Sequence, residues 1–322
     1  MEPKIDIIIP AYNAKQTIGR LIDSLKRQNN QDFRIIIVDD GSCDGTYEYC
    51  LDISKETKMD IKVLKQENQG PAIARQTALK KSSANYVMFC DADDYLHEST
   101  ISIILENLTD RDLDILEFGF QKVDDRGNSI KSTNLVDEFV SDSCLQHYIK
   151  QKNTTNYLCN KVIKREKIQE TDFKQLYYSE DFRALVYIFS RCSRYKIIHD
   201  KLYYYVISDL SACGRRFDIK RLDVLRVDQE IGEMIGDRYQ ELIPYQACNC
   251  CIHVTKLYIG FFKDDFLNDE LKRYLRDIFK KNYKILTSKK RTIYRKKSLR
   301  QILAIELYNL SPQLFTLFAN IK

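Results

Sequence analysis

The chain has 322 residues, 44% hydrophobic and 30% charged, enough to bury a sizeable core and too long for a peptide or a disulfide-stapled mini-protein. Five prolines and ten glycines are too few for a collagen-like, linker or disordered chain. The net charge of +5 is unevenly spread: thirteen Lys/Arg against the single acid Asp277 give +12 between Lys272 and Arg300, which leaves −7 for residues 1–271.

From the N-terminus, strand and helix signals alternate. Ile5 to Pro10 is a short apolar run of the kind buried on both faces of a parallel sheet. Ile18, Leu21, Ile22 and Leu25 then recur at helical spacing, with Asn13 and Gln16 placed like a capping box. A second strand, Phe33 to Val38, ends in Asp39-Asp40-Gly41-Ser42, and a helix follows from about Thr46. The third unit runs from Ile61-Lys62-Val63-Leu64 through Glu67-Asn68-Gln69-Gly70 into a helix opening at Pro71, where a missing N–H costs nothing. Strand four, Tyr86 to Cys90, stops at Asp91-Ala92-Asp93-Asp94. Such βαβ units predict a doubly wound, parallel sheet, whose ligands collect at the carboxyl ends of the strands. Those ends are polar and acidic here.

Beyond Asp114 the pattern is mixed: strand-like from Ile115 to Phe120, a turn at Asp125 to Asn128, helical from Asp181 to Arg191, and strand-like from Tyr195 to Val206. After Phe217 the signals are helical, at about 218–236, 239–262, 266–286 and 297–307. Ile302 to Ile321 is the most apolar stretch, but Glu306, Asn309, Pro312, Gln313 and Asn320 break it below the roughly 20 apolar residues of a membrane span. Placed after the basic run, it suits a helix lying on an anionic leaflet; the alternative is a helix packed on the body with a solvated basic face.

The ten cysteines sit largely within apolar runs, and Met-Glu-Pro-Lys leads directly into a strand, which together suggest reduced thiols in a cytosolic protein. Cys248, Cys250 and Cys251 with His253 lack the paired knuckles of a zinc site and read as apolar packing on a helix. His97, His147, His199 and His253 show no ligand spacing.

The sharpest chemical signal is Asp91-Ala92-Asp93. Residues i and i+2 of an extended segment point the same way, so both carboxylates can address one spot, where they raise each other's pKa unless a cation neutralises them. Mg²⁺ or Mn²⁺ shared with the oxygens of a substrate diphosphate is the economical solution. Read alone, this stretch is equally an acidic turn, and so is Asp39 to Ser42. No G-x-G-x-x-G or P-loop occurs in strand-helix context, which argues against NAD-type and P-loop binding.

Taken in order, Ile7-Ile8-Ile9-Pro10-Ala11-Tyr12-Asn13, Val38-Asp39-Asp40-Gly41-Ser42 with Asp44 and Thr46, Glu67-Asn68-Gln69-Gly70 with Ala74-Arg75, and Asp91-Ala92-Asp93-Asp94 resemble the signature of the family 2 glycosyltransferases. Ser179-Glu180-Asp181 resembles that family's Glu-Asp catalytic motif, and Tyr203-Tyr204-Tyr205 followed by Ser211 is similar to the aromatic-to-serine stretch of bacterial polysaccharide members. Gln76 departs from the Asn that commonly follows the Ala-Arg pair.

The resemblance implies an α/β GT-A fold with a mixed, largely parallel central sheet. The expected division is a catalytic domain over 1–212, with nucleotide-binding and acceptor halves at 1–95 and 96–212, and a helical C-terminal region with a basic amphipathic tail over 213–322. It assigns Ala11, Tyr12 and Asp40 to the nucleotide base, with Asp39 beside them, Asp91 to ribose and metal, Asp93 to metal, and Arg75 to the vicinity of the nucleotide. Pro10, Asn13, Gly70 and Ala92 belong to the same donor-binding motifs, and Asp181 matches the catalytic base. Arg215 and Arg216 are placed to close over the diphosphate.

The implied activity is inverting, metal-dependent transfer of a sugar from a nucleotide donor, UDP-linked, to a hydroxyl of a bacterial surface glycan or lipid-linked oligosaccharide. The implied setting is the cytoplasm, peripheral on the inner face of the plasma membrane, with no nucleic-acid partner. Two alternatives remain from the sequence: a nucleotide-sugar-binding assembly partner without turnover, and a haloacid-dehalogenase-type phosphatase, whose D-x-D however lies on the first strand.

Overall fold

The computed structural model describes residues 4–109, 112–150, 153–207, 217–236 and 238–320, except the side chains of 318–320. Ser211, Cys213, Arg215 and Arg216 lie outside the described residues, and with them the proposed arginine closure. The chain forms two compact units, one drawn from residues 1–176 and 180–211 and the other from 177–179 and 212–322.

The first unit is built on a ten-stranded mixed sheet. Its nucleotide-facing part consists of β1 (Ile5–Ala11), β2 (Phe33–Asp40), β3 (Ile61–Gln66) and β4 (Tyr86–Phe89), in the order β3-β2-β1-β4 and all parallel. Helices α1 (Ile18–Lys26), α2 (Thr46–Glu56) and α3 (Pro71–Leu79) make the connections. Strands β1 and β2 read as near-continuous aliphatic runs because both faces are covered. The one acid inside the β1 run, Asp6, is fully buried beside its register partner Arg34, which donates to it twice at 2.9 Å; the Ser83 and Ala84 amides complete its shell.

The strand order reverses between β1 and β4, so the carboxyl ends of these two strands flank the crevice in which open α/β sheets bind ligands. The register is tight to the end, with the Cys90 amide donating to the Ile8 carbonyl at 3.0 Å.

The predicted capping box does not form. Helix α1 starts at Ile18 with Thr17 as its N-cap and no side-chain cap bond, because Asn13 is used elsewhere. At φ 49° it turns the loop, while its Oδ1 accepts from the Cys43 amide at 3.0 Å and its own amide donates to Ser42 Oγ at 2.9 Å. Helix α3 does open at Pro71, behind Gly70 at φ +88°, a conformation that favours glycine.

The rest of the unit extends the sheet beyond β4. Strand β5 (Tyr95–Leu96) and helix α4 (Thr100–Thr109) are followed by β6 (Ile115–Val123), β7 (Ser129–Ser132), β8 (Glu138–Ser141) and α5 (Cys144–Ile149). Then come β9 (Lys161–Lys164), α6 (Glu180–Phe189) and the long β10 (Arg194–Val206). The four-residue β9 runs antiparallel between β4 and β6 and joins the two halves of the sheet.

The second unit is helical. It comprises α7 (Asp223–Gly236), α8 (Ile243–Lys263), α9 (Asp269–Thr287), α10 (Lys290–Tyr294), α11 (Leu299–Leu310) and α12 (Pro312–Asn320). Cys248, Cys250 and Cys251 are buried on α8, as apolar packing predicts. Pro312 opens α12 rather than merely interrupting an apolar run, since proline is at home in a helix's first turn.

Candidate functional site

The predicted donor-site residues of the first unit converge on the carboxyl ends of β1, β2 and β4 and the start of α3. Tyr12, next after β1, is 53% exposed, an aromatic face free for stacking. The loops after β1 and β2 are tied together: the Ala14 amide donates to Thr46 Oγ1 at 2.8 Å, the Lys15 amide to Asp44 Oδ2 at 3.1 Å, and Asn13 makes the bonds described above.

The two acids ending β2 have different occupations. Asp40 is filled by the protein, accepting from Gln66 Nε2 at 2.7 Å, the Gln69 amide at 2.9 Å and the Gly70 amide at 2.8 Å. It fixes the loop that leads into α3. Buried Asp39 receives only the Ser42 amide, at 3.3 Å, and its Oδ1 has no protein partner. Burying a carboxylate oxygen without a partner is costly, which marks Asp39 as the acid left for a ligand.

The segment after β4 is clamped from β10. Tyr203, fully buried, donates its hydroxyl to Asp94 Oδ2 at 2.6 Å and accepts from the Asp91 amide at 3.1 Å, while the Val206 amide donates to Asp94 Oδ1 at 2.7 Å. Arg20 of α1 donates to the Asp93 carbonyl. Asp94 is thus consumed by structure, and Asp91 and Asp93 remain for chemistry. Burial, with the Asp91 charge second, pushes the Asp93 carboxyl up to about 6.

Arg75 joins this pair to the predicted base. Its side chain is 5% exposed, and its two terminal nitrogens donate to Asp91 Oδ1 at 3.0 Å and Asp181 Oδ1 at 3.2 Å. Burial works against the guanidinium's charge, but Asp181, Asp91 and Glu180 outweigh it and hold Arg75 protonated. Asp181 stands in the first turn of α6 and also accepts from the Leu158 amide at 3.0 Å. Burial pushes its carboxyl upward; Asp91 adds to this, while Arg75, the Leu158 amide and Lys161 oppose it. Neighbouring Glu180 is pushed up to about 7, by burial first and then by the Asp181 charge.

Sequence reasoning passed over the support beneath Asp181. Lys161 and Glu117 are both fully buried and pair at 3.2 Å. Lys161 Nζ also donates to the Thr155 and Tyr157 carbonyls, each at 2.9 Å, and Glu117 accepts from Thr155 (2.8 Å from the amide), Thr154 Oγ1 at 2.7 Å and the Tyr195 hydroxyl. The pair pins the 154–161 segment whose Leu158 amide holds the predicted base. A lone Lys in the apolar run Lys161-Val162-Ile163 was the available signal, since lysine is almost never buried unless paired. Gln76, the departure from the motif, donates to the Glu170 carbonyl at 3.0 Å.

Do these residues suit a divalent metal? Among the described residues no three His, Cys, Asp or Glu form a ready cage. Two carboxylates two residues apart, one with its proton affinity raised by burial and then by its neighbour, do suit a hard cation that completes its shell with substrate oxygens and water. Asp91 and Asp93 are the residues that would hold it.

Sequence comparison decides the family. The Glycosyl transferase family 2 profile matches residues 6–172, more than half of the chain. The chain belongs to this family. Among curated relatives, the uncharacterized glycosyltransferase EpsJ of Bacillus subtilis (strain 168) is 29% identical over 212 residues, 64% of this chain and 61% of EpsJ. The glycosyltransferase GlyG of Streptococcus pneumoniae is 25% identical over 229 residues, 68% of this chain and 76% of GlyG. The chain spans less of other relatives, such as 16% of S. pneumoniae GlyA.

The crystal structure of residues 1–349 of Staphylococcus aureus TarS is similar in fold, with a TM-score of 0.61 at 18% identity over 90% of this chain and 91% of that one. The same protein in complex with UDP-GlcNAc gives a TM-score of 0.59 at 19% identity, over 90% of this chain and 92% of that one. The GT-A architecture of this family 2 member is therefore shared with a UDP-GlcNAc-binding protein. The profile match ends before Glu180 and Asp181, so the role of Asp181 rests on the geometry around it.

Proposed function

We propose that the protein is an inverting glycosyltransferase that takes a sugar from a UDP-linked donor and passes it to a hydroxyl of a bacterial surface glycan or lipid-linked oligosaccharide. The observation that carries this reading is the Asp91–Arg75–Asp181 bridge, which sets a D-x-D donor end and a half-buried carboxylate on the two arms of one guanidinium. UDP-GlcNAc binding by the TarS fold neighbour supports the choice of nucleotide.

In this reading the base stacks on Tyr12 and takes its specificity from Asp39, whose free oxygen can accept an N–H of the base, while Asp40 holds the loop. That shifts the base-reading role from Asp40 to its neighbour. Asp91 serves the ribose, and Asp91 and Asp93 are the residues that would hold Mg²⁺ or Mn²⁺, which when bound would supply positive charge against the diphosphate. Asp181 accepts the proton of the acceptor hydroxyl as its oxygen attacks the anomeric carbon; the bond to the diphosphate oxygen breaks on the opposite face, so the centre inverts. A carboxylate with raised proton affinity is the better base, and general-base catalysis is worth about 10² to 10⁴ in rate. No covalent enzyme intermediate is needed.

Features of the second unit support a peripheral membrane location in this reading. No described helix is long and apolar enough to cross a membrane. Yet Leu299, Leu303, Leu310, Leu314 and Leu317 of α11 and α12 are 71%, 37%, 72%, 50% and 66% exposed, next to the basic run that ends at Arg300. The opposite side of these helices packs through Ile305, Tyr308 and Phe315. Such a helix pair both packs on its own unit and offers an apolar, cationic face to an anionic leaflet.

A panel of nucleotide sugars tested for thermal shift and for nucleotide release with Mn²⁺ checks the donor assignment. UDP-sugars are expected to stabilise the protein and free sugars not; release of inorganic phosphate instead would favour a phosphatase.

A further inference from the structure

The second unit contains a cavity of about 460 Å³ that the donor chemistry does not use. Tyr178, Ser179, Phe217, Arg221, His253 and Lys256 line it, and none of its lining residues is an acid. Elsewhere the partly or fully buried arginines have carboxylate or main-chain acceptors: Arg34 pairs with Asp6, Arg75 with Asp91 and Asp181 and Arg191 with Asp172, while Arg20, Arg165, Arg183 and Arg276 donate to main-chain carbonyls. Arg221 has neither kind of acceptor for its guanidinium among the described residues. Its guanidinium lies 4.5 Å from the Tyr178 ring centre and 4.4 Å from that of Phe217, its Nε is buried without a partner, and no described carboxylate pairs with it. Aromatic faces fix the fork without neutralising it. Lys256 stands at the solvent-exposed side and likewise has no acidic partner among the described residues. His253 is oriented differently, its Nδ1 2.8 Å from Asp228 Oδ2.

We propose that this cavity binds a phosphoryl group of the acceptor. A planar guanidinium and an ammonium converging on an acid-free cavity suit a group carrying two negative charges and several acceptor oxygens. The proposal rests on the glycosyltransferase reading for its link to the reaction. That link is covalent: Ser179, in the cavity wall, turns at φ 68° and is bonded to Glu180, which Asp181 follows. Ser179 therefore stands two residues along the chain from Asp181, the base of the glycosyltransferase reading. Two kinds of acceptor carry such a group, a polyol-phosphate polymer and a lipid diphosphate.

Isothermal titration of the full chain saturated with UDP and Mn²⁺, which fills the donor end, distinguishes them. Glycerol 1-phosphate represents the first and dimethylallyl diphosphate the second, with glycerol and glucuronate as neutral and carboxylate controls. At least one phosphorylated probe is expected to bind more tightly than both controls. Arg221→Gln and the exposed-site variant Lys256→Gln should each weaken it about tenfold or more, as loss of a charged hydrogen bond does, while UDP affinity stays unchanged. Equal binding by wild type and both variants, or glucuronate binding as tightly as phosphate, would overturn the assignment. Failure of UDP to bind, with Arg221-dependent phosphate binding intact, would instead remove the donor reading and leave the cavity site standing.

Discussion

Glu180 and Asp181 are adjacent acids on one helical turn, and burial treats them unlike a surface pair. The Glu180 carboxyl rises from an ordinary 4.5 to about 7, by burial first and the Asp181 charge second. Between those values the folded protein keeps a proton that the unfolded chain has lost, so this group makes stability fall as pH rises from 4.5 to 7 and adds no further change above that. Glu180→Gln is therefore expected to match the wild type near pH 4 and to be more stable by about 1 to 2 kcal/mol at pH 8, read from urea unfolding at the two pH values. Equal stability at pH 8 would mean that Glu180 ionises freely. The neighbouring acids show how far residue identity was legible. Motif order picked out Asp39, Asp40, Asp91 and Asp93, but the division of labour between Asp39 and Asp40 depends on which oxygens meet the Gln69 and Gly70 amides, contacts between loops 29 and 30 residues apart.

At the scale of elements, β1 to β4 and α1 to α3 were readable because each is short, apolar and bounded by turn residues, so local pattern and tertiary role agree. Strand β9 was not: four residues, Lys161–Lys164, with a lysine at the start, carry no alternation, and only pairing with β4 and β6 makes them a strand. The lysine is there for Glu117. Lys161→Met leaves that carboxylate buried without its cation and is expected to cost about 3 to 5 kcal/mol in urea unfolding. Lys161→Met combined with Glu117→Gln should recover part of the loss; no recovery would mean that Lys161 stabilises β9 by packing rather than by charge. The missed capping box has a similar origin, since Asn13 gave up a helix cap to knit two loops together.

For the whole molecule, the uneven charge of the sequence becomes a division between an acidic first unit and a helical second unit carrying the basic excess. Exposed leucines on α11 and α12 could not be told from core leucines by sequence, because Ile305, Tyr308 and Phe315 share the same helices. Replacing Leu310, Leu314 and Leu317 together by Ser should release the protein from vesicles rich in anionic lipid in a flotation assay, and 1 M salt should weaken wild-type binding as well. Flotation unchanged by the triple variant would leave those leucines without a membrane role.

In the proposed reaction Asp181 removes the acceptor's proton while the D-x-D end holds the donor. UDP release from the UDP-sugar that the panel identifies, measured for Asp181→Asn beside its UDP affinity, tests it most directly. Turnover is expected to fall at least about a hundredfold with UDP binding retained; turnover near the wild-type rate would remove Asp181 from the base role.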